Sequence, residues 1–117
     1  MSRRADTITL RQMLDSIEEA VAIAKVRTRG HLESDRLVFL ALLKLVEIVG
    51  EAATRVTEAT QTAHPEIPWR EIIGTRNRLI HGYDTVDNDI LWQIVTADFP
   101  ALASQLTRIR PDTPAKT

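Results

Sequence analysis

One spacing constrains this chain more than any other feature. Leu42, Val46, Val49, Ala53 and Val56 follow one another at alternating steps of four and three. That 3.5-residue repeat is the seam of a helix lying nearly parallel or antiparallel to its neighbours. The next position, Thr60, is polar, so the seam weakens before Ala63 falls back on it. A second series, Leu10, Leu14, Ile17, Val21 and Ala24, repeats the pattern near the N-terminus. No segment shows the apolar/polar alternation of a strand.

The seams predict an all-α chain, an up-and-down bundle of four to five helices. The first helix is expected over 7–27, capped by Asp6 or Thr7 and ended by Gly30. A long second helix is expected over 33–63, stopped at His64-Pro65 because proline disfavours helical geometry in the residue before it. Leu37, Leu40, Leu43 and Leu45 widen its apolar surface, as in a central helix or one with a face buried by a second subunit. The third begins at Pro68 and carries Trp69, Ile72, Ile73, Leu79 and Ile80, fading near His81-Gly82. Asp87 caps the fourth, with Val86 and Leu91 placed for a hydrophobic staple. Pro100 is expected to kink or break it, leaving a last segment with Ala101, Leu102, Leu106 and Ile109. Residues 1–110 read as one domain and 111–117 as a frayed tail.

Composition narrows the chemistry. With no cysteine, disulfides, thiolate metal sites and cysteine nucleophiles are excluded. His31, His64 and His81 lie far apart, and neither a metal nor another cofactor is expected. The net charge of −1 gives the whole chain no field for nucleic acid, so an RNA substrate requires a local basic patch. The absence of a long apolar run or a leader pattern predicts a soluble cytoplasmic protein.

The chemically dense stretch is Arg70 to Tyr83. Within eight residues it sets Arg76, Asn77, Arg78, His81 and Tyr83. Metal-independent RNA cleavage needs a base for the 2′-hydroxyl, an acid for the departing 5′-oxygen, and positive charge at the phosphate. His81 titrates near neutrality and suits either proton transfer. Arg76 can grip phosphate as a bidentate fork. Tyr83 can donate a hydrogen bond or stack on a base, and Asn77 can orient an oxygen. On a straight helix Arg76 and Tyr83 differ by only about 20°, but Arg76 and His81 by about 140°. Convergence would need the long arginine, a loosened helix end or a second subunit.

Plainer readings stand beside these. His81-Gly82 also reads as a helix end, with histidine complementing the dipole. Tyr83 also reads as a core aromatic, and the arginines as a solvated face. Glu47 and Glu51, one turn apart, read as paired carboxylates or as exposed partners of arginines. From the residues alone the reading ends at a helical bundle with a phosphate-binding cluster.

Arg76-Asn-Arg-Leu-Ile-His81-Gly-Tyr83 resembles the Arg, four residues, His, one residue, Tyr signature of HepT-like proteins, a branch of the HEPN superfamily. Glu47-Ile-Val-Gly-Glu-Ala-Ala53, the segment His64 to Gly74, and Val86-Asp with Leu91-Trp92 resemble further motifs of that family, in order. The resemblance spans about residues 7 to 106. It implies a HEPN-like helical homodimer with a cleft at the subunit interface, and Arg76 and His81 as catalytic pair. It also implies the toxin of a bacterial type VII-like toxin–antitoxin system, cleaving RNA to a 2′,3′-cyclic phosphate and a 5′-hydroxyl. The implied partner is an MntA-like minimal nucleotidyltransferase antitoxin, which transfers AMP to Tyr83 and so blocks the site. Asn77, Arg78, Glu47 and Glu51 are implied as substrate-binding or supporting residues. The alternative is a non-catalytic HEPN nucleotide- or protein-binding partner of such a nucleotidyltransferase, which the near-neutral charge suits. A purely structural dimer has no use for the polar cluster.

Overall fold

Helix α1 spans Arg3–Lys25 and lies along α3, Arg36–Thr54, and α8, Phe99–Arg108. The computed structural model describes residues 3–81 and 85–109, without the side chains of Arg3 and His81. Between these helices lie α2 (His31–Ser34), α4 (Glu58–Ala63), α5 (Trp69–Ile73), α6 (Thr75–Leu79) and α7 (Asn88–Gln93). The architecture is all-α, as the seams require. One short feature departs from it: β1 (Ile80–His81) pairs antiparallel with β2 (Thr85–Val86), in register Ile80 to Val86 and His81 to Thr85.

The predicted seams form the core. Leu10, Leu14, Ile17 and Ala24 of α1 are buried, as are Leu42, Val46, Val49, Ala53 and Val56 on and just beyond α3. Each fully buried Leu, Ile or Val stabilises the fold by roughly 1.5–3 kcal/mol relative to exposure. Trp69, Ile72, Leu79, Leu91, Ile94, Val95, Leu102 and Leu106 close the other side. Phe99 is buried too. Its part in the core escaped the sequence reading because its neighbour Pro100 marked the region as a break.

The boundaries differ where polar side chains compete for the backbone. The expected helix over 33–63 is three helices. Asp35 caps α3, accepting hydrogen bonds from the Leu37 and Val38 amides, and so separates it from α2. Thr57 caps α4 by accepting from the Thr60 amide. Asp6 does not cap α1, which begins upstream at Arg3. Its buried carboxylate instead accepts from the Thr57 amide and from the Thr57 and Thr60 hydroxyls, pinning α1 to the start of α4. Gly30 does not end α1 either. That helix stops at Lys25, and Gly30 is the N-cap of α2 in ordinary right-handed backbone.

Downstream, Gly74 divides the expected third helix into α5 and α6. The Thr75 hydroxyl fills the break by donating to the Glu71 and Ile72 carbonyls. Asp87 caps α7 as expected, accepting from the Ile90 amide. Pro100 does not end the helix but does mark a separate last α-helical segment: a π-helical turn over Ile94–Asp98 joins α7 to α8, and the Phe99 amide bonds back five residues to Ile94. The wider turn comes where Pro100 removes a donor from the α-ladder. Among the described residues, no helix is long and apolar enough to cross a membrane. The expected tail, 111–117, lies outside the described residues.

Candidate active site

Arg76 is held by a short helix that leans on the central one. Buried Thr75 and Leu79 seat α6 against α3, and this turns Arg76 outward. Its side chain is 77% exposed, with Nη1 4.0 Å from Oε2 of Glu47 on α3. At that distance the pair attracts through solvent without a direct hydrogen bond. Glu47 and Glu51, one turn apart on α3, share with Arg76 a cleft of about 340 Å³ between α3 and the α5–α6 pair. Of the two carboxylates one turn apart, Glu47 is the one that meets an arginine of a neighbouring helix, while Glu51 lines the same cleft.

Sequence reading missed three members of this cleft. Lys44, Thr54 and Arg55 also line it. Their signal was present in the spacing: Lys44 precedes Glu47 by three residues, and Arg55 follows Glu51 by four. Arg55 Nη1 and the Thr54 hydroxyl both donate to the Glu51 carbonyl, which ties off the end of α3.

Arg78 points elsewhere. Its Nη1 stands 3.6 Å from Oδ2 of Asp98 in the π turn, and it lines a second cleft of about 270 Å³ bounded by α5 and α8. Arg76 and Arg78 thus serve opposite sides of α6. Asn77 between them is exposed.

The angular conflict between Arg76 and His81 dissolves because no helix joins them. Helix α6 ends at Leu79, and Ile80 is extended, with φ −94° and ψ 122°. His81 follows on β1, held by pairing with Thr85, and the Asp87 amide donates to the Leu79 carbonyl to close the hairpin base. A wheel of 100° per residue does not apply across that change of backbone. Tyr83, the predicted modification site, lies outside the described residues.

The other histidines are locally engaged. His31 Nδ1 accepts the Thr28 amide, and His64 Nδ1 lies 3.7 Å from Glu66.

The ordered motifs and the helical frame agree with a direct comparison. A model of the ribonuclease HepT-like family matches residues 13–109. The chain belongs to the HepT-like family. It is 35% identical over 101 residues to a protein of Thermococcus cleftensis named "Probable ribonuclease HepT", covering 83% of this chain and 92% of that one. A relative from Methanocaldococcus jannaschii, named as a "Putative RNase", is 29% identical over 106 residues, 91% of this chain and 97% of its own. Another of that description, from Caldanaerobacter subterraneus, is 33% identical over 75 residues, 64% and 67% of the two chains. No solved structure matches. In this HepT-like chain the signature straddles a helix end and a hairpin, with Arg76 on the one and His81 on the other.

Proposed function

We propose that this HepT-like chain is a metal-independent endoribonuclease and the toxin of a toxin–antitoxin pair. The observation that carries the reading is Arg76, exposed on the wall of a cleft whose lining reaches Leu79, the residue before the strand that bears His81. In the proposed reaction the ribose 2′-oxygen attacks the adjacent phosphorus as its proton passes to a base. The bond to the 5′-oxygen breaks, and that oxygen takes up a proton. The products are a 2′,3′-cyclic phosphate and a 5′-hydroxyl. His81 serves proton transfer. Arg76 neutralises the charge that grows on the phosphate oxygens. Glu47, near enough to attract Arg76 but too far to pin it, keeps the guanidinium poised over the cleft. Glu51 lines the same cleft and Asn77 is exposed beside Arg76, whereas Arg78, turned to Asp98 on the other side of α6, takes no part in it.

The chain acts as a homodimer in this reading, so that two signatures line one cleft. Its antitoxin is a minimal nucleotidyltransferase of the MntA-like kind. The Tyr83 oxygen attacks the α-phosphorus of ATP and pyrophosphate leaves. The resulting AMP group brings bulk and negative charge where the RNA phosphate would sit, which stops cleavage.

The test is tightly controlled expression of wild type and His81→Ala, followed by growth and total-RNA analysis. Wild type is expected to arrest growth and leave cyclic-phosphate ends. His81→Ala and Arg76→Ala are expected to lower the cleavage rate of purified chain by about 10²–10⁴-fold. If unmodified wild type leaves RNA intact and cells unharmed, the catalytic reading fails and the chain is a binding partner of the nucleotidyltransferase.

A further inference from the structure

The cleft beside Arg76 does not end at Lys44. On α3, Arg36, Leu40, Leu43, Glu47, Glu51 and Thr54 recur at steps of four and three, so they share one helical face. That face is distinct from the buried stripe through Leu42, Val46 and Val49 that meets the core. It runs about 27 Å, at 1.5 Å per residue over 18 residues. Its C-terminal half is the wall of the Arg76 cleft. Its N-terminal half is the wall of another cavity of about 380 Å³, whose far side is Val86 of β2 and Asn88 of α7. Since β2 is paired to β1, the hairpin carrying His81 stands at the edge of this second cavity.

Two side chains give that cavity its chemistry. Phe39 is half-buried, whereas Phe99 and Trp69 are consumed by the core. The Arg36 guanidinium lies over the Phe39 ring, 5.5 Å from its centroid. Arg36 occupies the first position of α3, where a positive charge opposes the helix dipole. No carboxylate pairs with it among the described residues. Arg36 is thus a cation without a carboxylate partner among the described residues, stacked on a half-buried ring at the wall of an open cavity. The acidic groups nearby are already engaged: Glu33 and Asp89 both bind Arg29, and Asn88 donates to Glu33.

We propose that this face of α3 is the track for single-stranded RNA, and that the Arg36–Phe39 cavity receives one of its bases. An aromatic face with an adjacent guanidinium is the chemistry that stacks an unpaired base while meeting its phosphate. The inference rests on the ribonuclease reading of the adjoining cleft and extends it. The cavity takes a base flanking the scissile phosphate, which would give the enzyme a preference for sequence or for unpaired positions near the cut.

The test uses the full chain carrying His81→Ala, titrated with single-stranded RNA 12-mers that carry 2-aminopurine at successive positions. Stacking quenches this fluorophore. Quenching is expected at one or two adjacent positions. With Phe39→Leu added, which keeps apolar volume but removes the ring, affinity is expected to fall about tenfold and the local quench to vanish. Phe39→Tyr restores both. Unfolding midpoints of the three chains show whether the fold is unchanged. No position-specific quench, or a quench indifferent to Phe39→Leu, overturns the proposal. A change in sedimentation mass with unchanged quench also overturns it, making the cavity a contact between copies. Cleavage of the same unlabelled RNAs by wild type reads the other claim separately. If wild type does not cut but the ring-dependent quench stands, the ribonuclease reading falls and the RNA site remains.

Discussion

Asp6 shows how much one buried carboxylate organises. It is 3% exposed, and it receives the Thr57 amide and two threonine hydroxyls. Burial pushes its pKa up, but the hydrogen bonds from Thr57 and Thr60 outweigh burial and hold it below its ordinary value near 3.8. For a carboxyl lowered in the folded state, the stabilisation is fully present above the unfolded pKa. It is lost as pH falls through the folded one. Asp6→Asn keeps the shape and one acceptor oxygen but removes the charge. It is expected to cost about 1–3 kcal/mol at pH 7, the usual range for charge-assisted bonds left incomplete. In urea unfolding, the gap between wild type and Asp6→Asn should narrow as pH drops below about 4. A gap that stays constant with pH would mean that the ionised form contributes nothing. The sequence offers Asp6 as a cap for its own helix; its real partners lie 51 and 54 residues away, beyond what local spacing records.

Elements were legible in proportion to how strongly a repeating apolar stripe specified them. The stripes of α1 and α3 are long, and their predicted members form the core, apart from the half-buried Val21 and the exposed Ala63. What the stripes could not reveal is where the backbone stops between in-phase apolar residues. Val56 is buried although α3 has ended at Thr54, because Thr57 and Asp6 redirect the chain while the seam continues. The same blindness hid the division at Gly74 and the hairpin at Ile80, a two-residue pairing too short to show alternation. The contact of α3 with α5 depends on Gly50: a Cβ there would lie 3.2 Å from the Ile72 carbonyl oxygen. Gly50→Ala asks for a shift of only tenths of an ångström. Gly50→Leu would have to push the helices apart, at an expected cost of about 1–3 kcal/mol. Gly50 lines the Arg76 cleft, so the larger residue should also lower RNA cleavage. Paired unfolding and activity measurements check this: equal stability of the Leu and Ala variants would show that α5 yields freely.

At the scale of the whole molecule, a net charge of −1 must be reconciled with a polyanionic substrate. The proposed track does so through a small local excess of cations, since Glu47 and Glu51 share its face and offset part of their charge. Arg36 and Lys44 stand along one side of α3 and Arg76 faces it from α6, while Arg29 and Arg78 are committed to carboxylates elsewhere. Three phosphate contacts on a single strand imply that log K falls against log salt with a slope of about −2, from 0.7 per contact. Binding of labelled single-stranded RNA to His81→Ala should therefore weaken about 20-fold between 50 and 200 mM salt. Removing one contact with Arg76→Ala should flatten the slope to about −1.4. A slope near zero would deny the track any phosphate contact. A slope steeper than about −4 would require more cations than one chain presents there, and would mean that RNA is gripped by the faces of two copies at once.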